Sequence, residues 1–290
     1  MSSSSGELLS IVIGSNGAAA SVEACLAALE PQVYGAEVLV CEPSGSPPDL
    51  QERFPFARFL ERRGALVPAL WRDGIDASAG RIVALTISPM EPAPDWVETI
   101  RAELERADVV AGAIDPGEGL RLADWAEYFC RYARDMLPFA ARESADLPGD
   151  NAAYRREALE QTRPLYRDGF WEPDVHRALA ASGASLLHSP ELVVRQGRSA
   201  GALAFARQRL RHGRAHGSQR GARFSRSRNL AGVLGAPLVP PLLTWRVLRE
   251  TQRRRRLRAR ALAALPLILA FDAAWATGEA LGHLDALRGR

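Results

Sequence analysis

Lysine is absent from this 290-residue chain, so all 37 basic side chains are arginines. Cysteine is scarce: Cys25, Cys41 and Cys130 have neither metal-ligand spacing nor an even count, which argues against a zinc site or a disulfide framework and favours a reducing compartment. The polar start MSSSSGE precedes an apolar run too short for a secretory signal. We therefore expect a cytosolic globular part, and the 47% hydrophobic content suffices for one large domain with an appendage.

Charge is divided unevenly along the chain. Residues 1–194 hold 17 arginines and 30 acidic residues, a balance of −13, whereas residues 195–290 hold 20 arginines and 4 acidic residues, a balance of +16. Codon bias explains the missing lysine but not this clustering. Because apolar runs neighbour the arginines, an anionic phospholipid surface is a better partner for this tail than nucleic acid.

The first half alternates between short apolar runs and segments with helical spacing. This pattern predicts an α/β fold with a mostly parallel sheet and helices on both faces, which binds ligands at the carboxyl ends of its strands. The predicted strands are Leu8–Ile13, Glu37–Cys41, Ala57–Leu60, Arg81–Thr86 and Asp108–Ile114, and the predicted helices are Ala19–Leu29, Val67–Ser78 and Pro94–Arg106.

The second half is less regular and becomes apolar towards its end. We expect helices over Leu122–Met136, Arg155–Gln161 and Pro173–Ala181, a short strand pair near Leu186–Val194, and a basic helix over Gly201–His216. Two apolar runs follow, Leu230–Leu248 and Ala261–Leu284, joined by the arginine-rich bridge Arg249–Arg260. Both runs approach the length that crosses a bilayer.

Five segments in this order resemble the family 2 glycosyltransferases. They are LLSIVIGSNGAAASVEACLAAL, AEVLVCEPSGS, RDGIDASAGRIVALTISPMEPAPDWV, DLPGDNAAYRREAL and FWEPDVHRALAASG. The resemblance implies a nucleotide-binding GT-A-like domain over residues 1–200, then a basic helix or linker over 201–228 and a membrane-associated helical hairpin over 229–290.

The same resemblance implies roles for individual residues. The nucleotide-sugar donor is expected to contact Ser15, Asn16, Glu42, Ser88, Arg211 and His212, the last two from a QxxRW-like motif in which histidine replaces tryptophan. The acceptor is expected at Gly149, Asp150, Asn151 and Trp171, and the catalytic acids are Glu172 and Asp174. Glu172 is the preferred general base because it precedes Pro173 and should project from the loop towards the cleft.

Each of these residues also has an ordinary structural interpretation. Glu172 and Asp174 can simply complement a helix N-terminus, where Pro173 suits the first turn. Asp150 and Asn151 can cap the helix that follows them, and Trp171 can be a core residue.

The metal-binding DxD stretch of the resembling family falls on Ile87, Ser88 and Pro89, which offer no carboxylate to a Mg²⁺ or Mn²⁺ ion. We therefore predict no metal site there, and no cofactor is certain. Arginines can replace the charge of such a cation at a departing diphosphate, and Arg211 and His212, with Arg209 and Arg214, are the candidates. The same basic helix can instead lie against lipid headgroups.

Arginine flanks set the expected membrane topology. Residues 195–228 contain ten arginines and no acid, and residues 249–260 contain seven arginines and one acid, so both flanks favour the cytosol. The first apolar run is then a proline-broken interfacial or re-entrant segment. The second run contains Asp272, Glu279 and His283 and is also expected to lie shallow. Alternatively, both runs pack on the globular domain or on a partner.

Together these features predict a peripheral or monotopic enzyme at the cytoplasmic face of the cell membrane. It would move a sugar from a nucleotide-sugar donor to a lipid or lipid-linked glycan, with inversion, and without nucleic acid as a partner. The alternative is a degenerate glycosyltransferase-fold protein that binds nucleotide, glycan or a partner without turnover. A third hypothesis is a membrane scaffold whose α/β domain recruits other proteins.

Overall fold

The computed structural model describes residues 8–45, 47–198 and 201–289, and these divide into two compact units. The first unit comprises residues up to Gly117 together with Asp135–Gly197, and the second comprises Glu118–Arg134 with the chain after Gly197. The division differs from the predicted boundaries, because residues 201–228, predicted as a separate basic helix or linker, belong to the second unit. A helix from the middle of the chain, Leu122–Tyr132, groups with the C-terminal helices and not with the sheet.

The first unit contains all nine strands found among the described residues and six of the helices. The strands are β1 Leu9–Gly14, β2 Ala36–Glu42, β3 Ala57–Glu61, β4 Ile82–Ile87, β5 Met90–Pro92, β6 Val109–Pro116, β7 Arg142–Glu143, β8 Asn151–Arg155 and β9 Leu186–Gln196. The helices are α1 Ala19–Leu29, α2 Pro48–Arg53, α3 Val67–Ala77, α4 Trp96–Glu103, α6 Arg156–Thr162 and α7 Glu172–Ala181. This mostly parallel sheet flanked by helices confirms the predicted fold class at that level.

The sheet runs in the order β3-β2-β1-β4-β8-β6-β9-β5, with β7 beside β9. The strands β3, β2, β1 and β4 are parallel neighbours, and β8 enters antiparallel between β4 and β6. Because β8 is antiparallel to β4, the first residue of β8 lies at the carboxyl end of β4. Short loops of the second half are thereby brought to the edge where the first-half strands end.

Local sequence explains the central layer. Every residue of β1 is buried, as expected for a strand covered on both faces. The helix α3 buries one side, formed by Val67, Leu70, Trp71 and Ile75, and packs closely against the sheet. Its Gly74 permits this approach, since a Cβ there would lie 2.2 Å from Cγ1 of Val12.

The predicted strand pair near residues 186–194 is wrong. A single strand, β9, covers this region and carries a bulge: Gly112 of β6 pairs with Ser189, and the next residue pairs with Val193. Gly112 is required opposite the bulge, because a Cβ there would lie 1.8 Å from the carbonyl oxygen of Leu192. The proline within the run, Pro190, suggested a break where the strand only bulges.

The second unit is helical throughout its described residues. Its helices are α5 Leu122–Tyr132, α8 Ala202–Arg223, α9 Arg226–Gly235, α10 Val239–Arg253 and α11 Arg258–Arg288. The prolines at 237, 240 and 241 do not end the helical path. They fall in a single 3₁₀ turn and in the first turn of α10, where a missing N–H is tolerated.

Glycines bring α8 and α11 into close contact. Gly213, Gly217 and Gly221 are spaced by four residues on α8, and Gly278 and Gly282 share that spacing on α11. A Cβ at Gly217 would lie 2.3 Å from the carbonyl oxygen of Glu279, so the two backbones touch at these positions. Small residues at a spacing of four are typical of tightly packed helix pairs.

Acidic side chains of α11 pair with arginines of α8. The ion pairs are Arg209–Asp272 (3.3 Å), Arg214–Asp285 (2.7 Å) and Arg220–Glu279 (3.1 Å). His283 contacts Asn229 of α9, with Nδ1 2.8 Å from Oδ1. The polar groups that are costly in an apolar run therefore lie against protein within this unit.

Two helical stretches, 226–253 and 258–288, are long and apolar enough to cross a membrane. By length and composition alone this is a weak indication of membrane association, since a buried core helix has the same features. The two stretches differ in burial: 11% of the first apolar window is buried against 39% of the second.

Candidate active site at the carboxyl edge of the sheet

The loop after β1 is held by backbone and hydroxyl hydrogen bonds. The Ser15 amide donates to the carbonyl of Cys41 at the end of β2 (2.8 Å), and the Ser15 hydroxyl accepts from the amide of Gly17 (3.0 Å). Gly17 has a φ of +84°, which glycine adopts without strain. Ser15 is buried, and its amide and hydroxyl both serve to shape the loop.

Asn16 and Ser88 form the link between the loops after β1 and β4. The Asn16 amide donates to the Ser88 hydroxyl, and that hydroxyl donates to Oδ1 of Asn16, each over 3.1 Å. Oδ1 also accepts from the amide of Ala18 (3.0 Å). These bonds fix the side chain of Asn16 and leave its Nδ2 group without a partner among the described residues. Ser88, predicted to bind the donor, is fully buried and instead positions Asn16.

Glu42 ends β2 at the same edge and is 4% exposed. No described residue forms a hydrogen bond or ion pair with its carboxylate, although its backbone carbonyl accepts from the amide of Arg62 (2.8 Å). A carboxylate that makes no bond within the protein can accept hydrogen bonds from a ligand. Such a group at a strand end marks a place where a ligand can supply the missing donors.

The loop that ends at Asp150, directly before β8, lies at this edge because β8 is antiparallel to β4. Thr86 of β4 pairs with Asn151 of β8, and the Thr86 hydroxyl donates to the carbonyl of Asp150 (3.0 Å). The loop residue Gly149 lies against Glu172, since a Cβ at position 149 would be 2.9 Å from Cγ of Glu172. Gly149 therefore lies beside Glu172, and Asp150 is bonded to the end of β4.

The two candidate catalytic acids differ in their surroundings. Glu172 is the first residue of α7 and is half-buried beside Gly149. Asp174, one residue past Pro173, forms an ion pair with Arg177 on its own helix (3.1 Å). Trp171 is half-buried at the N-cap of α7. Of the two acids, Glu172 is therefore the one that lies beside the loop before β8.

A buried Tyr154–His176 pair lies near Glu172. The Tyr154 hydroxyl is 2.7 Å from Nε2 of His176. Burial, and then the charge of Glu172, raise the pKa of Tyr154, and burial lowers the pKa of His176 to about 4, against the opposing charge of Asp146. Both groups are therefore neutral near pH 7. The signal in the sequence was a histidine four residues after Glu172, on the same side of α7.

Asn151 serves the fold and not an acceptor. It is fully buried, its Nδ2 donates to the carbonyls of Ala113 (2.9 Å) and Leu192 (3.0 Å), and its Oδ1 accepts from the indole of Trp96 (2.8 Å). With both amide hydrogens used, the side chain joins β8, β6 and β9 at the bulge. The structure therefore corrects the prediction that Asn151 contacts an acceptor hydroxyl.

Arg211 and His212 belong to α8 in the second unit. Burial, reinforced by Arg131, Arg209 and Arg211, lowers the pKa of His212 to about 3. The imidazole is neutral at physiological pH and so cannot supply the positive charge predicted for a diphosphate. Arg211 is exposed.

The residues present do not fit a metal ion. Ile87 is buried and apolar, and the Ser88 hydroxyl is bonded to Asn16. Among the residues that the structure describes, no group of three or more histidine, cysteine or acidic side chains is placed to hold a metal. The carboxyl edge therefore offers hydrogen-bonding groups and carboxylates, and not a cation cage.

Comparison with known proteins identifies no family for this chain: no family model matches it, and no curated protein sequence matches it.

Proposed function

We propose that the first unit binds a nucleoside diphosphate sugar at the carboxyl edge of its sheet and transfers the sugar to an acceptor hydroxyl. The observation that supports this most is the carboxylate of Glu42 at the end of β2, which forms no hydrogen bond or ion pair with a described residue. It lies at the same sheet edge as Asn16, while Glu172 adjoins the loop that enters β8. Ligand groups are expected at such an edge in open α/β sheets.

The nucleotide half of the donor suits Asn16 and Glu42. The hydroxyls of a ribose, or the N–H groups of a base, can donate to the Glu42 carboxylate. The Nδ2 group of Asn16 can donate to an acceptor oxygen of the same ligand. Because Ser88 holds Asn16 in place, little side-chain freedom is lost on binding.

The transfer step is assigned to Glu172 as general base. Its carboxylate accepts the proton of the acceptor hydroxyl while the oxygen attacks the anomeric carbon. The bond from that carbon to the diphosphate breaks, and the nucleoside diphosphate leaves with the electron pair. Attack opposite to the leaving group inverts the anomeric centre. No step is routed through a metal, because the residues at 87–89 do not fit one.

We place the acceptor at a membrane, as a lipid or lipid-linked glycan on the cytoplasmic side. The two apolar helical stretches and the arginines of the second unit support this placement. Arginine-rich flanks are retained on the cytoplasmic side of bacterial and eukaryotic membranes alike.

A second candidate is nucleotide or glycan binding without turnover. One observation favours it: Ile87, Ser88 and Pro89 offer no carboxylate where the resembling family holds the metal that neutralises the departing diphosphate. Binding needs Glu42 and Asn16 only, whereas turnover also needs compensation of the leaving charge.

Calorimetry on the full-length protein with a panel of nucleoside diphosphates and their sugars tests the binding site. We expect one nucleotide to bind, and Glu42→Gln to weaken it by about tenfold, the size of one charged hydrogen bond. Glu52→Gln, an exposed acid of α2, is the control and should change nothing. Equal affinities for Glu42→Gln and wild type would reject the site. Hydrolysis or transfer of the bound donor then separates the enzyme from the binding protein.

A further inference from the structure

The helical stretch α9–α10 carries an apolar surface that the second unit does not cover. Its large side chains recur every three or four residues and are 46–72% exposed: Leu230 51%, Leu234 72%, Leu238 72%, Leu242 46% and Trp245 53%. We call this set the outer leucine face. The other exposed positions between residues 230 and 245 are Ala231, Pro237 and Pro241, so no polar side chain interrupts it.

Arginines stand at both ends of the outer leucine face. Exposed Arg226 and Arg228 precede it, and exposed Arg246, Arg249 and Arg253 follow it. No acidic residue occurs between positions 226 and 249. The Arg249 guanidinium lies 5.4 Å from the ring of Trp245, which places an aromatic and a cation together where the apolar face ends.

We infer that the outer leucine face inserts into the interface of an anionic bilayer with the α9–α10 axis parallel to the membrane plane. The leucines then enter the acyl-chain boundary, and the arginines at both ends bind lipid phosphates. Tryptophan is favoured at that depth. From Leu230 to Trp245 the helix is about 22 Å long, shorter than the roughly 30 Å of hydrocarbon that a span must cross.

A second copy of the chain is a poor occupant of this face. Because arginines flank it at both ends, parallel and antiparallel pairing of two copies would each place arginines opposite arginines. A lipid surface supplies phosphates at both ends at once. The helix α11 is a poorer candidate, since 39% of its apolar window is buried inside the protein against 11% for the stretch that contains α9 and α10.

Vesicle flotation of the full-length protein tests the inference, which rests on the proposed membrane association but not on catalysis. We expect binding to vesicles of phosphatidylcholine with phosphatidylglycerol, and weaker binding to phosphatidylcholine alone. Leu234→Glu with Leu238→Glu should lower the affinity by about tenfold or more, because two leucines leave the acyl boundary. Leu203→Glu on α8, 64% exposed, is the matched control and should bind as wild type.

Unchanged flotation of the double variant would overturn the inference, and so would a dimer in solution that this variant converts to monomer. Nucleotide affinity, measured on the same variants, reports separately on the first unit.

The orientation is tested with Ser227→Cys and Gln252→Cys, at the two exposed ends of the stretch. A membrane-impermeant maleimide added outside the vesicles should label both positions equally, as read at each site by mass spectrometry. Labelling of only one end would show a span and overturn the in-plane orientation.

Discussion

Buried polar groups are treated differently in the two units. In the helical unit, Asp272 is 1% exposed and accepts from Arg209 and from the hydroxyl of Thr244, both over 3.3 Å. In the sheet unit, Glu42 is 4% exposed and has no described partner. The same residue class, equally hidden from water, is satisfied by protein in one place and left open in the other.

The difference indicates which groups serve folding and which serve a ligand. Partnered groups such as Asp272 and Asn229 join helices, and their removal should affect stability. The open groups at the sheet edge, the Glu42 carboxylate and Nδ2 of Asn16, form no bond with a described residue, which is typical of sites that a ligand completes.

The largest effect is expected at Glu172. Replacing Glu172 by Gln removes the proposed base but keeps its shape, so kcat should fall by about a hundredfold to ten-thousandfold while nucleotide affinity stays nearly unchanged. Glu157→Gln is the matched control, because Glu157 is an exposed acid in the first turn of α6, as Glu172 is in α7. If both variants keep full turnover, Glu172 only complements a helix end.

Removal of Asp272 should give the next largest effect. Asp272→Ala leaves the mostly buried guanidinium of Arg209 without its carboxylate, and we expect a loss of about 3–5 kcal/mol in the free energy of unfolding. Replacing both residues by leucine should restore much of it. Denaturant unfolding in detergent gives the free energy of unfolding of the single and the double variant. A loss in the single variant below 1 kcal/mol would mean that the pair does not hold the helices, and the contrast with Glu42 would fail.

His176 adds a pH dependence to the sheet unit. Its pKa is lowered by burial from 6.5 to about 4, so below pH 6.5 the unfolded chain takes up a proton that the folded chain refuses. The contribution of His176 to the free energy of unfolding is complete above pH 6.5. It falls by on the order of 3 kcal/mol as the pH is lowered to about 4. His176→Gln cannot titrate, and its melting temperature should fall less over that interval. Parallel curves for the two proteins would contradict the assignment.

Much of the sheet unit could be predicted from the sequence, because its signals are local. The helix Ala19–Leu29 has the predicted bounds, and the first five predicted strands are present within one or two residues. The convergence of Asn16 and Glu42 followed from strands that end at one edge. The roles of Asn151 and Ser88 did not follow, since they depend on hydrogen bonds across 38 to 72 residues of chain.

The helical unit was harder to predict because its determinants are pairings between distant helices. The run Leu230–Leu248 indicated a membrane element, but not that one side of it would be left uncovered. The spacing of Gly213, Gly217 and Gly221 was visible in the sequence. Its meaning required the glycines of α11, about sixty residues later, to lie against it.

The smallest expected effect separates packing glycines from permissive ones within the helical unit. Gly217→Ala places a methyl group 2.3 Å from the carbonyl oxygen of Glu279, so α8 and α11 must separate, at a cost of about 1–3 kcal/mol. Gly235→Ala, at the end of α9, meets no atom within 4 Å. Alanine there should be neutral or stabilising by up to about 1 kcal/mol, because it restricts the unfolded chain. The melting temperatures of the two variants, measured in the same detergent, should therefore change in opposite directions or by clearly different amounts. Equal shifts would mean that the α8–α11 contact adapts without loss, and that the glycine spacing does not hold this pair together.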